Sequence, residues 1–307
     1  GLTFLFLYNI CTGVFTALGD SRTPLYFLIA SSLANIVMDV VFVVCFHMGV
    51  GGVAWATFLC QGVASVLAAW TLFRRLRGVP APERHPLFSW RMLGRIARIA
   101  VPSILQQSFI SVGNLFIQSL VNGFGSAVVA GYSAAVKLNT FALTGFTTLG
   151  NGLSSFTAQN IGAGRPERVK QGFRAGAGMT LCVAVPFIAA FVFAGPQMVR
   201  LFLSAPSADA LAQGTLFLNI VAPFYVLISL KLAADGVLRG AGCMGQFMTA
   251  TFTDLILRVI LAFLLAPRFG AAGIWMSWPL GWAVAAALSL GFYFTGGWRK
   301  RVGSIDK

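Results

Sequence analysis

A carboxylate inside an apolar stretch is costly to keep, and Asp39 is such a residue. It lies in the middle to outer part of a stretch over about 25–47 and has no basic residue three or four positions away on either side. Asn35 precedes it by one helical turn, on the same face. Hard cations take oxygen ligands, so an amide oxygen beside a carboxylate makes half of a proton or sodium site. The next apolar stretch contributes Thr57, with Gln61 one turn on, and the short Gly49–Gly52 turn makes the two stretches antiparallel neighbours. The competing reading is a neutral Asp39 hydrogen-bonded to Asn and Thr as glue between helices. Because ionisable groups in hydrocarbon cost roughly 2.5–3.5 kcal/mol on insertion scales, a working carboxylate is the preferred reading.

The other intramembrane charges fall in a different pattern. Lys231 and Asp235 are four apart, as are Asp254 and Arg258, so each pair is expected to neutralise itself on one helical face as a structural ion pair. Arg239, four beyond Asp235, extends the first pair into a cluster near the cytoplasmic end. Lys137 is an orphan whose use, whether snorkelling, touching an anionic substrate group or meeting a carboxylate elsewhere, stays open. His47 and His85 lie at or beyond the ends of apolar stretches, and there is no Ser/His/Asp or HExxH arrangement, which argues against an enzyme. The five cysteines show no ligand spacing, so neither a metal site nor a disulfide framework is expected.

These residues are positioned by helices that belong in a bilayer. The 307 residues are 57% hydrophobic and only 10% charged. Nine apolar stretches are long enough to approach or span ~30 Å of hydrocarbon, at about 4–18, 25–47, 51–73, 97–122, 127–157, 172–194, 212–236, 244–266 and 271–296. They do not alternate as barrel strands would. The net charge of +14 raises the question of nucleic acid, but the Lys and Arg collect in alternate loops. Arg22, the group Arg74–Arg98, Arg165–Arg174, Arg239 and the tail Arg299–Lys307 fall on one side, and only Arg200 and Arg268 on the other. The basic side is cytoplasmic by the positive-inside rule, which places the C-terminus inside and assigns the charge to topology and anionic lipid, with no nucleic-acid partner.

The longest polar stretch, with Pro80, Pro82 and Pro86, reads as a linker between two bundles. The expected organisation is a three-helix partial N-terminal lobe over 1–73, a cytoplasmic linker over 74–96, a six-helix C-terminal lobe over 97–298 and a cytoplasmic tail over 299–307. A repeat supports it. Gly13-Val-Phe-Thr-Ala-Leu-Gly19 resembles Gly236-Val-Leu-Arg-Gly-Ala-Gly242 at an offset of 223, and Gly49-Val-Gly-Gly52 resembles Gly270-Ala-Ala-Gly273 at 221. Repeats of this kind belong to secondary transporters. If six helices make a unit, three precede Gly1 and the parent protein has twelve. At these offsets Asn35 maps to Arg258 and Asp39 to Ala262 or Ile260, so ion coupling is expected in the first half alone.

Three stretches together resemble the multidrug and toxic compound extrusion (MATE) family. Ala17-Leu-Gly-Asp-Ser-Arg-Thr-Pro24 is similar to the loop after that family's fourth helix. Asn35-x-x-x-Asp39-x-x-Phe42 and Gly49-Val-Gly-Gly-Val-Ala-Trp-Ala-Thr57 resemble its fifth and sixth helices. Gly236–Gly242 with Gly273-Ile-Trp275 resembles the end of its tenth helix and the start of its twelfth. The resemblance implies an all-α, polytopic membrane protein: helices four to twelve of a twelve-helix, two-lobed exporter with a parallel pseudo-repeat. In the DinF-like group, Asn and Asp on the fifth helix and Thr on the sixth join a first-helix Asp in binding the coupling cation, and Asn35, Asp39 and Thr57 match those positions. Other subgroups use a Glu on the seventh helix, a position that falls near Ile110; Gln106, Gln107, Asn114 and Gln118 are the polar groups there instead.

The function implied is an antiporter in the inner or plasma membrane, exporting amphipathic, drug-like organic cations in exchange for H⁺ or Na⁺. The expected partners are that substrate, the coupling cation and membrane lipids; no cofactor other than the coupling ion is expected, and the chain is expected to act as a monomer. A lipid-linked-sugar flippase of the same wider superfamily is the alternative, and it would be expected to show a more basic central cavity.

Overall fold

The computed structural model describes residues 1–78, 88–203 and 207–301, and among them no strand occurs. The chain divides into two compact units, Gly1–Phe88 and Ser89–Lys307. The first unit holds α1 (Leu2–Ala17), α2 (Arg22–Val40), a π-helical turn over Val41–Cys45 that continues α2, and α3 (Gly49–Leu76). The second holds α4 (Trp90–Asn122), α5 (Ser126–Gly162), α6 (Pro166–Leu201), α7 (Ala208–Val221), α8 (Tyr225–Gly240), α9 (Met244–Phe269), α10 (Ala271–Phe294) and a closing 3₁₀ turn, Gly297–Arg301.

All nine expected apolar stretches are helical, and seven helical stretches among the described residues are long and apolar enough to cross a membrane. The other two differ for opposite reasons. α1 is apolar but has only 16 residues, whereas α5 has 37 and carries Thr140, Thr144, Thr147, Thr148 and Asn151. The α5 hydroxyls Thr144, Thr147 and Thr148 donate to carbonyls a turn back, which keeps them satisfied within the helix. The stretch expected over 212–236 is interrupted by a 3₁₀ turn, Ala222–Phe224, where Pro223 has no N–H for the helical ladder.

The stretch read as linker over 74–96 is helical at both ends. α3 runs to Leu76, and α4 starts at Trp90, where the Ser89 side chain accepts from the Met92 N–H at 3.4 Å. Arg91, Arg95 and Arg98 therefore stand on a helix, while residues 79–87, including His85, and the tail 302–307 lie outside the described residues.

The repeat is visible in backbone conformation. Gly19 and Gly242 both have positive φ, +80° and +72°, and so do Gly49 and Gly270, at +55° and +62°. Each pair closes a turn that L side chains resist, at the spacing the sequence repeat gives.

Within the second unit, α5 and α8 approach through small residues. A Cβ on Gly240 would lie 2.2 Å from the Ser154 carbonyl oxygen and one on Gly236 2.4 Å from that of Gly150. Both obstacles are backbone, so the helices themselves must separate to admit a methyl group. Gly240→Ala is accordingly expected to lower the yield of monodisperse protein in detergent severalfold, whereas Gly178→Ala, with open space around it, leaves the yield unchanged.

The first unit is tied at the α1–α2 turn. Asp20 accepts from the Thr23 hydroxyl at 2.8 Å and the Thr23 and Arg22 N–H groups at 3.1 and 3.2 Å, capping α2, and it pairs with Arg75 at the end of α3. These contacts, the Thr23 hydroxyl first, hold the Asp20 carboxyl below the ordinary carboxylate range. A depressed carboxyl stabilises the fold above that range and ceases to do so as pH falls through it. The melting temperature should therefore exceed that of Asp20→Asn near neutrality, and the gap should close below about pH 4.

Candidate functional site

Asn35 and Asp39 both lie on α2 and are half-buried. The Asn35 amide donates to the Thr57 hydroxyl across the α2–α3 seam at 3.5 Å, a long contact. Asp39 sits one turn further, with Val40 alone between it and the π-helical turn that ends the helix. Such turns widen the backbone ladder and recur at functional sites. One Asp39 carboxylate oxygen is buried, and among the described residues the carboxyl accepts no hydrogen bond and faces no cation within ion-pair distance.

Beside it opens a cleft of about 150 Å³ lined by Tyr8, Ser31, Ser32, Asn35, Thr57 and Gln61, among others. The lining mixes polar side chains with Leu28, Cys60 and Ala64 and carries no formal charge. Asp39 is not part of that lining; it stands one turn beyond Asn35.

The intramembrane charges of the second unit converge where sequence spacing alone does not bring them. Lys231 and Asp235 form the expected ion pair at 2.8 Å, each about 4% exposed, and the Ser289 hydroxyl donates to Asp235 at 2.6 Å. Arg239 donates to the Asn151 side chain on α5. Asp254 and Arg258 do not form the expected ion pair, although both are nearly buried. The Arg258 guanidinium instead lies over the Trp278 ring, 4.5 Å from its centroid, while Asp254 is turned against α10, where a Cβ on Gly281 would meet it at 2.6 Å. A desolvated guanidinium on an indole face gains about 2 kcal/mol, which holds the side chain in place but gives its N–H groups no acceptor.

Lys231, Asp235, Arg239, Asp254 and Arg258 all line one cavity of about 470 Å³, with Gln106, Gln107 and Ile110 from α4 and Trp278 and Trp282 from α10. Reading each pair as a separate local device misses this. Lys137 lies elsewhere on α5, exposed and without an ion-pair partner among the described residues.

The profile of the MatE family matches residues 102–264. The probable multidrug resistance protein YpnP of Bacillus subtilis (strain 168) is 31% identical over 300 residues, covering 97% of this chain and 66% of that protein. A second protein of that organism, the probable multidrug resistance protein YoeA, is 26% identical over 304 residues, covering 95% of this chain and 65% of its own length. The chain thus spans just under two thirds of these curated relatives. Among solved structures, an outward-facing multidrug resistance MATE family transporter of the MOP superfamily superposes with a TM-score of 0.84 at 23% identity, over 97% of this chain and 66% of that one.

Proposed function

The chain belongs to the MATE family of multi-pass membrane transporters, and on that premise we propose that it carries the coupling-ion site of an antiporter that exports drug-like organic cations in exchange for H⁺ or Na⁺. One observation carries the reading. Asp39 is a carboxylate in an apolar helix, with one oxygen buried and neither a hydrogen bond nor an ionic partner among the described residues, one turn from the Asn35–Thr57 contact. A carboxylate kept there as glue would be bonded to its neighbours; this one is free to take a cation. Occupancy of Asp39 biases the protein between its outward-open and inward-open states, the π-helical turn beside it being a natural place for α2 to adjust. The names of the relatives, probable multidrug resistance proteins, support drug-like cargo. The loop distribution of Lys and Arg supports a cytoplasmic C-terminus in the inner or plasma membrane.

The test is reconstitution of the whole protein into liposomes. Under an imposed H⁺ or Na⁺ gradient, a fluorescent cation should move against its own concentration gradient. Movement only down its gradient, whatever the ion gradient, would indicate a channel.

A further inference from the structure

The two repeat-related halves place their cavities at the same register. At the offset of 223 that aligns Gly19 with Gly242, Tyr8 corresponds to Lys231, Ser31 to Asp254 and Asn35 to Arg258; at the offset of 221 that aligns Gly49 with Gly270, Thr57 corresponds to Trp278 and Gln61 to Trp282. The first residue of each pair lines the cleft of the first unit and the second lines the cavity of the second. At these five positions a neutral polar side chain in one unit is thus replaced by a charged or indole side chain in the other. Even the central contact is replaced in kind: Asn35 to Thr57 becomes Arg258 on Trp278.

The second cavity has hydrogen-bond donors left over. Lys231 is matched by Asp235 and Arg239 is engaged by Asn151. Arg258, 6% exposed, has no hydrogen bond or ion pair among the described residues; its Nε is buried without an acceptor, and so is the indole N–H of Trp278. Leaving a guanidinium Nε–H and an indole N–H buried without acceptors is costly unless a ligand supplies one. Three basic side chains face two carboxylates in the lining, so the surplus is positive. A volume of about 470 Å³ falls in the range of small-molecule sites, and the buried indoles of Trp278 and Trp282, packed edge to face with ring centroids 6.0 Å apart, give it an aromatic wall.

We propose that this cavity is a binding site for an aromatic organic anion, its carboxylate or phosphate received by Arg258 and the Trp278 N–H and its ring system packed among the indoles. Asp254, 8% exposed and with a buried carboxylate oxygen that has no hydrogen-bond partner, is the opposing charge that keeps the affinity moderate and permits release. The inference goes beyond the antiport reading and does not rest on it, because it is read in equilibrium binding with no ion gradient.

The probes are 2-naphthoate and its cationic counterpart 2-naphthylmethylammonium, titrated calorimetrically into the whole protein in detergent. Naphthoate is expected to bind more tightly than the ammonium. Arg258→Gln should weaken naphthoate about tenfold or more, the scale of one charge-assisted hydrogen bond, and Asp254→Asn should tighten it severalfold. General destabilisation cannot move the two variants in opposite directions, and should Arg258→Gln fail to fold, Asp254→Asn decides alone. The proposal is overturned if naphthoate does not bind, if the ammonium binds as well or better, if Arg258→Gln leaves naphthoate affinity unchanged, or if Asp254→Asn weakens it or leaves it unchanged.

Discussion

Changing Asp39 to Asn should abolish ion-driven export while leaving folding and membrane insertion intact. The side-chain shape and one acceptor oxygen are retained, and only the titratable charge is lost. Because the carboxyl makes no hydrogen bond and no ion pair among the described residues, the substitution breaks no contact, and a neutral amide is cheaper to place in hydrocarbon than a carboxylate. Thermal stability in detergent should therefore be unchanged or slightly raised. Gradient-driven transport should fall to the leak of the membrane, since without a titratable group at this site ion occupancy no longer biases the exchange between the two states. The measurement is gradient-driven efflux of a fluorescent cation from proteoliposomes, beside a melting curve for each variant. Full transport by the Asn variant, or parallel loss of stability and transport, would return Asp39 to the role of interhelical glue. The same experiment on Thr57→Val, which removes the partner of Asn35, should show a smaller loss, because a hydroxyl contributes an oxygen ligand but no charge.

How much of this was legible in the sequence depended on whether a feature is local. The apolar stretches gave the helices, since hydrophobic length needs no tertiary information. The turn glycines at positions 19 and 242, and at 49 and 270, could be matched by spacing because tolerance of positive φ is a property of glycine itself. Local reasoning also paired Lys231 with Asp235 correctly, one turn apart. It failed for Asp254 and Arg258, which have the same spacing, because Trp278 on the next helix competes for the guanidinium. α4 starts at Trp90, ahead of the apolar stretch over 97–122: the basic run Arg91–Arg98 reads as loop by charge, but arginine is a good helix former and Ser89 supplies the cap. The charged cavity is the largest omission. Its lining comes from α4, α5, α8, α9 and α10, and no window of sequence shows five helices meeting. One signal was nevertheless available. Extending the repeat from Asn35 and Asp39 to Ser31, Thr57 and Gln61 lands on Asp254, Trp278 and Trp282, which together with Arg258 mark the site.

The second large effect belongs to stability, at the Lys231–Asp235 pair. Both side chains are about 4% exposed and 2.8 Å apart, and Asp235 also accepts from Ser289, which is fully buried on α10. Asp235→Leu would leave an ammonium and a hydroxyl without their acceptor in a low-dielectric setting. Removing one partner of a buried pair costs about 3–5 kcal/mol, far more than the net worth of the pair itself, because the remaining charge is uncompensated. Such a loss consumes a large part of an ordinary folding free energy, so the single variant should show a strongly lowered melting temperature and poor recovery from the membrane. Replacing both charges in Lys231→Met/Asp235→Leu should restore most of what the single variant loses, since apolar residues of similar volume often replace a buried pair at little cost. Melting curves for the parent, both single variants and the double variant close the cycle and isolate the pairwise energy. A double variant no more stable than Asp235→Leu would mean that the charges hold the wall of the cavity in shape through Ser289 and their other neighbours. Recovery in the double variant would show instead that the pair is separable from the fold, leaving Arg258 and Asp254 as the charges with which the cavity meets its ligand.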